Sequence, residues 1–393
     1  MRLLLALPAL ILFGSAAVAQ HQHGRPGSAP EAFTAAPAFA PDGTLWLARP
    51  MVDRVVVQRS IDLGKTFSAP VRVTPEPMNL DWGPDARARI AVDPRGGLIV
   101  TFGIFQDKNF NGRAFFTRSG DDGANFSKPR PITPDTTSQR FEIAGIDPAG
   151  RVFATWLDKR NIPPARAAGK AYAGAALAYA WSDDGATFGK TDIALDNTCE
   201  CCRLGLAFAG PGRPVIAFRN VFSGSVRDHA VVTFRDATTP GPLRRVSTDD
   251  WKIEACPHHG PSLAVAADGS QHVAWFTDGK ARKGLFYARA ESADSAFGPP
   301  RALSSSDRQP ARPYLLAVGR AVYLVWKEFD GNKVVVRWQV SNDSGVTWSK
   351  GRTVAETDDA SDHPLLIGHA GRAYLSWLTK AQGYRLIPLE DQP

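Results

Sequence analysis

Apolar positions fall in short runs of four to eight residues, separated by Gly, Asp and Pro, and no window sustains a helical period. One unit recurs: a tight turn, then an apolar strand ending near an aromatic. It is seen at Asp42 to Trp46, Gly96 to Phe102, Gly150 to Trp156, Gly212 to Phe218, Gly269 to Trp275, Gly319 to Trp326 and Gly371 to Trp377. The copies stand about 45 to 60 residues apart, the length of a blade of four short strands. Each has an apolar strand before it, such as Arg89 to Val92 or Ser262 to Ala266, and another after it, such as Arg54 to Gln58 or Val334 to Trp338. The pattern predicts an all-β propeller of four-stranded antiparallel blades. Six full units and a short seventh from His363 to Leu389 leave two solutions: a seven-bladed ring with a reduced last blade, or a six-bladed ring whose terminal strands share one.

A second repeat is more specific. Ser60-x-Asp62-x-Gly64-x-x-Phe67, Ser119-x-Asp121-x-Gly123-x-x-Phe126 and Ser341-x-Asp343-x-Gly345-x-x-Trp348 share one spacing. A fourth copy around Asp183, Gly185 and Phe188 has its serine shifted by one. Asp accepts turn N–H groups, Gly takes a conformation closed to bulkier residues, and the aromatic fills space between sheets. These boxes resemble the Asp-box (BNR) repeats of sialidases across nearly the whole chain. The resemblance implies a sialidase-like propeller and a structural role for Asp62, Asp121, Asp183 and Asp343, away from any active site.

The N-terminus reads as a secretory signal. Arg2 is the basic region, Leu3 to Phe13 the apolar core, and Ala17-Val18-Ala19 the small-residue cleavage pattern. The expected organisation is a signal peptide over 1–19, a flexible segment over 20–31 and one propeller over 32–393, in a periplasmic or secreted protein. The run of about eleven apolar residues is too short to span a bilayer, and no other stretch is long enough. Loss of Arg2 takes the formal charge from +7 to +6. No basic cluster interleaved with aromatics appears, which argues against nucleic acid as a partner. A metal ion or a small anionic or glycan ligand, bound by a monomer, fits better.

Propeller topology places the loops entering each inner strand, and those joining strands 2 and 3, on one face. That face gathers Asp158, Arg160, Arg203, Arg219, Arg227, Asp228, His229, Glu254, Arg312 and His363. The long loop from Asp158 to Tyr172 is a candidate lid. The four cysteines all fall in two consecutive entry loops: Cys199, Cys201 and Cys202 before the fourth blade, Cys256 before the fifth. Disulfides are one reading in an exported protein, although neighbours as close as Cys199 to Cys202 bridge only with strain. The other is a soft metal site, copper or zinc, with Cys199, Cys201, Cys202, Cys256, His258 and His259 as ligands and Arg203, Asp228 and Glu254 orienting them. A redox-active thiol pair is the third. His21 and His23 offer a further weak copper chelate.

Cys199-x-Cys201-Cys202 and Cys256-Pro257-His258-His259, with Arg227-Asp228-His229 and the Lys159 to Ala175 stretch, also resemble bacterial exported sialidase-like proteins. Sialidases hold a carboxylate with three arginines, the first in an Arg-Ile-Pro motif near the propeller start. Residues Ala29 to Ala35 carry no arginine, so no catalytic residue is transferred. A glycoside hydrolase with a disulfide-stapled site and a non-catalytic interaction platform are the competing functional readings.

Overall fold

The computed structural model describes residues 33–390. The signal sequence over 1–19, the segment over 20–31 and its His21 and His23 lie outside the described residues. Seven antiparallel sheets follow one another around a ring. Their inner strands are Ala36–Phe39, Arg89–Val92, Gln139–Ile146, Gly205–Phe208, Ser262–Val265, Ala311–Val318 and Leu365–His369. Each inner strand touches the next, and the last touches the first, which closes the circle. Blades 1 and 3 to 6 have four strands, and blade 7 has three. Blade 2 has five, because Leu80–Asp81 adds a short pairing to Leu98–Phe105 beside its inner strand. The seven-bladed solution is therefore the observed one. Among the described residues no blade mixes strands from the two chain ends.

The core lies between blades, where facing sheets interdigitate apolar side chains. Six buried clusters span the successive joints from blades 1–2 to blades 6–7. Trp156, Trp275, Trp326 and Trp377 occupy equivalent places on second strands and are fully buried. Each indole still needs an acceptor. Asp158, Asp249 and Glu328 supply carboxylates at 2.7–2.8 Å, and the Asp362 carbonyl serves Trp377 at 3.0 Å.

The Ser-x-Asp turns are inter-blade staples. In the first, Asp62 accepts from Ser60 and the Thr66 N–H, and Ser60 accepts from the Gly64 N–H. Asp121 and Asp343 repeat this with Asn125 and Thr347. In the fourth the acceptor is Asp184, reached by Ser182, Ala186 and Thr187, while Asp183 faces solvent. The assignment of that role to Asp183 is thus corrected. The serine had not moved; one residue between Asp and Gly is missing, so Ser182-x-Asp184 keeps the required spacing. The turn aromatics reach the preceding blade: Phe188 meets Phe116 and Trp348 meets Tyr287 edge-on.

The joint between blades 7 and 1 is closed by the same device and by one ion pair. Phe67 meets Tyr384 edge-on at 5.5 Å, and Phe39 stacks on His369 at 4.6 Å. Above them Arg87 of the loop into blade 2 grips Asp362 of the loop into blade 7 with two bonds of 2.7 and 2.8 Å. Asp362 also accepts from the Ala35 N–H, and Arg87 donates to the Ala35 carbonyl.

Candidate functional site

The chain returns from the outer strand of blade 3, Asp192–Thr198, to the channel through residues 199–204, and from blade 4 to blade 5 through 246–261. These neighbouring crossings set the chemistry of the entry face. The Cys199 N–H donates to the Arg219 carbonyl, and the Arg219 guanidinium sits 4.3 Å from the centre of the Trp251 ring while donating to the Arg227 and His259 carbonyls. Arg219 thereby ties the two loops together, its carbonyl holding the first and its buried guanidinium the second, and Trp251 is buried beneath it. Asp228 accepts three N–H groups, from Asp249, Asp250 and Trp251, and pairs with Arg245. It shapes the second loop.

Cys199, Cys201 and Cys202 are 1–2 % exposed and cap the apolar cluster between blades 3 and 4, whereas Cys256 is exposed. All four are free thiols. The sulfurs of Cys199 and Cys201 stand 3.4 Å apart and those of Cys199 and Cys202 3.9 Å, well beyond the roughly 2.05 Å of a disulfide. Two triads arise: Cys199, Cys201 and Cys202, and Cys201, Cys256 and His258, each with ligand atoms mutually within 4.8 Å. His258 sits at φ +51°, and its Nδ1 lies 2.7 Å from the Cys201 carbonyl. This strained backbone aims the ring at the thiol loop.

Charge within the cluster is uneven. Cys199 is held well below the usual thiol range because Cys201 and Cys202 donate to it, with Arg219 and Arg227 adding positive charge. The Arg227 Nη1 is 3.1 Å from its sulfur. Cys201 is pushed up as a donor, Cys202 is raised by burial to about 12, and Cys256 is lowered by the Cys201 hydrogen bond.

Other expected participants lie elsewhere. His259 stacks on Phe276 at 4.3 Å and belongs to neither triad. His229 places Nε2 3.2 Å from the His259 carbonyl and is kept neutral by burial. Arg203 turns into the channel, and Glu254 is exposed beside Ser225. The residues expected to orient the ligands, Arg203, Asp228 and Glu254, make their contacts away from the sulfurs; Arg227, expected only on the ligand face, reaches Cys199 instead. Asp158 and Arg160 pair with each other at the foot of the long loop, which contains the short helix Ile162–Ala167. That loop is latched to the thiol loop by Lys159 to Glu200 at 2.6 Å and to the outer strand before it by Asn161 to Asp196 at 2.8 Å. Glu200, between two cysteines, was not singled out by sequence, since its role depends on the loop that folds over it.

The channel mouth is a second polar cluster. Asp85 is shared by Arg203 at 3.2 Å and Arg312 at 3.1 Å, with His363 Nδ1 at 3.9 Å. Arg203, Arg312 and His363, with Arg87, Arg89 and Tyr314, line a cavity of about 50 Å³, room for a few waters and far less than the several hundred Å³ of a typical small-molecule pocket. Bulges at Arg140 to Ile143 and Ala311 to Tyr314, with Phe141 and Arg312 at positive φ, turn Glu142 and Arg312 inward. Burial raises Glu142 to about 8, against the pull of Arg89. The folded state therefore holds a proton that the unfolded chain releases near 4.5, and stability should fall as pH rises from about 4.5 to 8. Glu142→Gln should flatten that limb of a denaturant-midpoint-versus-pH curve; an unchanged slope would show that Glu142 ionises normally.

A thiol-bearing seven-bladed propeller is the class these features define. No protein-family model matches the chain, and no curated protein sequence does. Among solved structures the chain is similar in fold to a lectin, BP39L from Burkholderia pseudomallei (TM-score 0.62, 10 % identity, 91 % of this chain and 99 % of that one). It is also similar to the polysaccharide lyase Uly1 (0.59, 9 %, 96 % and 94 %). A third is an ulvan lyase of polysaccharide lyase family PL25 bound to -[GlcA(1-4)Rha3S]- (0.57, 11 %, 93 % of each chain). At these identities the likeness is one of fold.

Proposed function

We propose that the protein is an exported, monomeric, sialidase-like propeller that captures a soft metal ion, copper(I) in preference to zinc, in its Cys/His loops. The observation that carries this reading is the meeting of three buried thiols, none in a disulfide, with Cys256 and His258 across two loops. Thiolates select soft ions, and groups of three donors suit copper(I), whereas structural zinc is almost always held by four. Arg227 offsets negative charge at Cys199. A glycan-cleaving reading is supported less well: the neighbours in fold include glycan-active proteins, but the channel cavity is too small for a sugar ring.

Protein purified from the periplasm should carry copper, and removing the metal should expose four titratable thiols. Cys202→Ser should weaken Cu(I) binding by more than the roughly 10- to 100-fold that losing an outer hydrogen-bond partner costs. Protein that neither carries nor takes up copper or zinc would end this reading. Turnover of a sialoside or aryl glycoside would favour the hydrolase instead.

A further inference from the structure

The five soft donors do not form one close group. Cys199, Cys201 and Cys202 make one triad, Cys201, Cys256 and His258 the other, and only Cys201 belongs to both. A single tetrahedral ion with bonds of about 2.3 Å to four sulfurs needs every sulfur pair about 3.8 Å apart. The four thiols are instead divided between the triads. We infer that the loops hold two copper(I) ions side by side, bridged by the Cys201 thiolate, an inference that rests on the metal reading above. The inner ion is held by Cys199, Cys201 and Cys202, the outer by Cys201, Cys256 and His258.

Charge accommodates the second ion. With one copper(I) on the inner triad, three thiolates leave −2 and Cys256 keeps its proton; the second copper(I) displaces that proton and the total stays at −2, so no charge is added at the lip of the apolar cluster. Arg227, 3.1 Å from Cys199, offsets part of the remainder. Binding is not a redox step: copper stays Cu(I), and each thiol proton displaced passes to solvent. The contrast in exposure adds a direction. The inner sulfurs are buried and Cys256 is open to solvent, so an ion enters at the outer triad and reaches the inner one through the sulfur they share.

The test uses the reduced full chain, titrated without oxygen with Cu(I) delivered from a bicinchoninate complex. Native mass spectrometry should give two coppers per chain, and copper-edge X-ray absorption should show a copper–copper path. Cys256→Ser, at an exposed position, should keep the wild-type melting curve, halve the stoichiometry to one and lose that path. Saturation of the wild type at one copper, or two coppers persisting in Cys256→Ser, would overturn the two-ion site while leaving copper capture standing. Binding of none would remove both.

Discussion

Arg87→Met is expected to destabilise the protein by about 3–5 kcal/mol, because it leaves the Asp362 carboxylate buried without its cation. The side chains of both partners are only 2 % exposed. The same change strips donors from the Ala35 and Pro84 carbonyls. Chemical denaturation of wild type and variant measures the loss. Adding Asp362→Leu should recover part of it, since removing both charges deletes the desolvation penalty; recovery stays partial because the Ala35 N–H also loses its acceptor. A loss below about 1 kcal/mol for Arg87→Met would mean that the pair does not hold the seam.

Gly345→Ala should cost roughly 2–5 kcal/mol, combining a disfavoured backbone with overpacking. Gly345 lies at φ +84°, and a Cβ there would come within 2.3 Å of the Tyr287 hydroxyl and 2.7 Å of His272 Cε1. Those two groups are hydrogen-bonded to each other at 2.8 Å, and Tyr287 also supports Trp348. Neither gives way without parting blades 5 and 6. Gly371→Ala is the control: φ is +76° but a Cβ meets nothing within 4 Å, so only the backbone cost of about 1–2 kcal/mol applies. Equal losses at the two positions would show that the steric contact is not felt.

Most of the architecture was legible in the chain because it depends on local chemistry. Ser60, Asp62 and Gly64 form their turn from residues within five positions of one another, so spacing alone announces it. The convergence of Cys199 and Cys256 was legible for a topological reason: successive entry loops must be neighbours. What sequence did not yield depends on backbone detail within irregular loops. Nothing in Cys256-Pro257-His258-His259 says that one imidazole turns to the thiols and the next stacks on Phe276. Glu142 and Arg312 face inward because of bulges, and Arg89 reads as an ordinary strand residue until Glu142 is placed beside it. The blade count stayed open because blade 7 lacks its fourth strand.

The seam between blades 7 and 1 has a consequence for how the ring comes apart. Every other joint is bridged by the chain as it passes from an outer strand to the next inner one. At this joint, among the described residues, the strands are held by non-covalent contacts: Arg87 and the Ala35 N–H to Asp362, Phe67 to Tyr384, and Phe39 to His369. The molecule is an open chain bent into a circle, and closing it fixes two segments more than 300 residues apart in sequence, an entropic penalty that no local contact offsets. A circular permutant that joins residue 390 to residue 33 through a short linker and begins between two other blades would move the break. Its first region to exchange amide hydrogens under native conditions should move with it, from blade 7 to whichever blade then ends the chain.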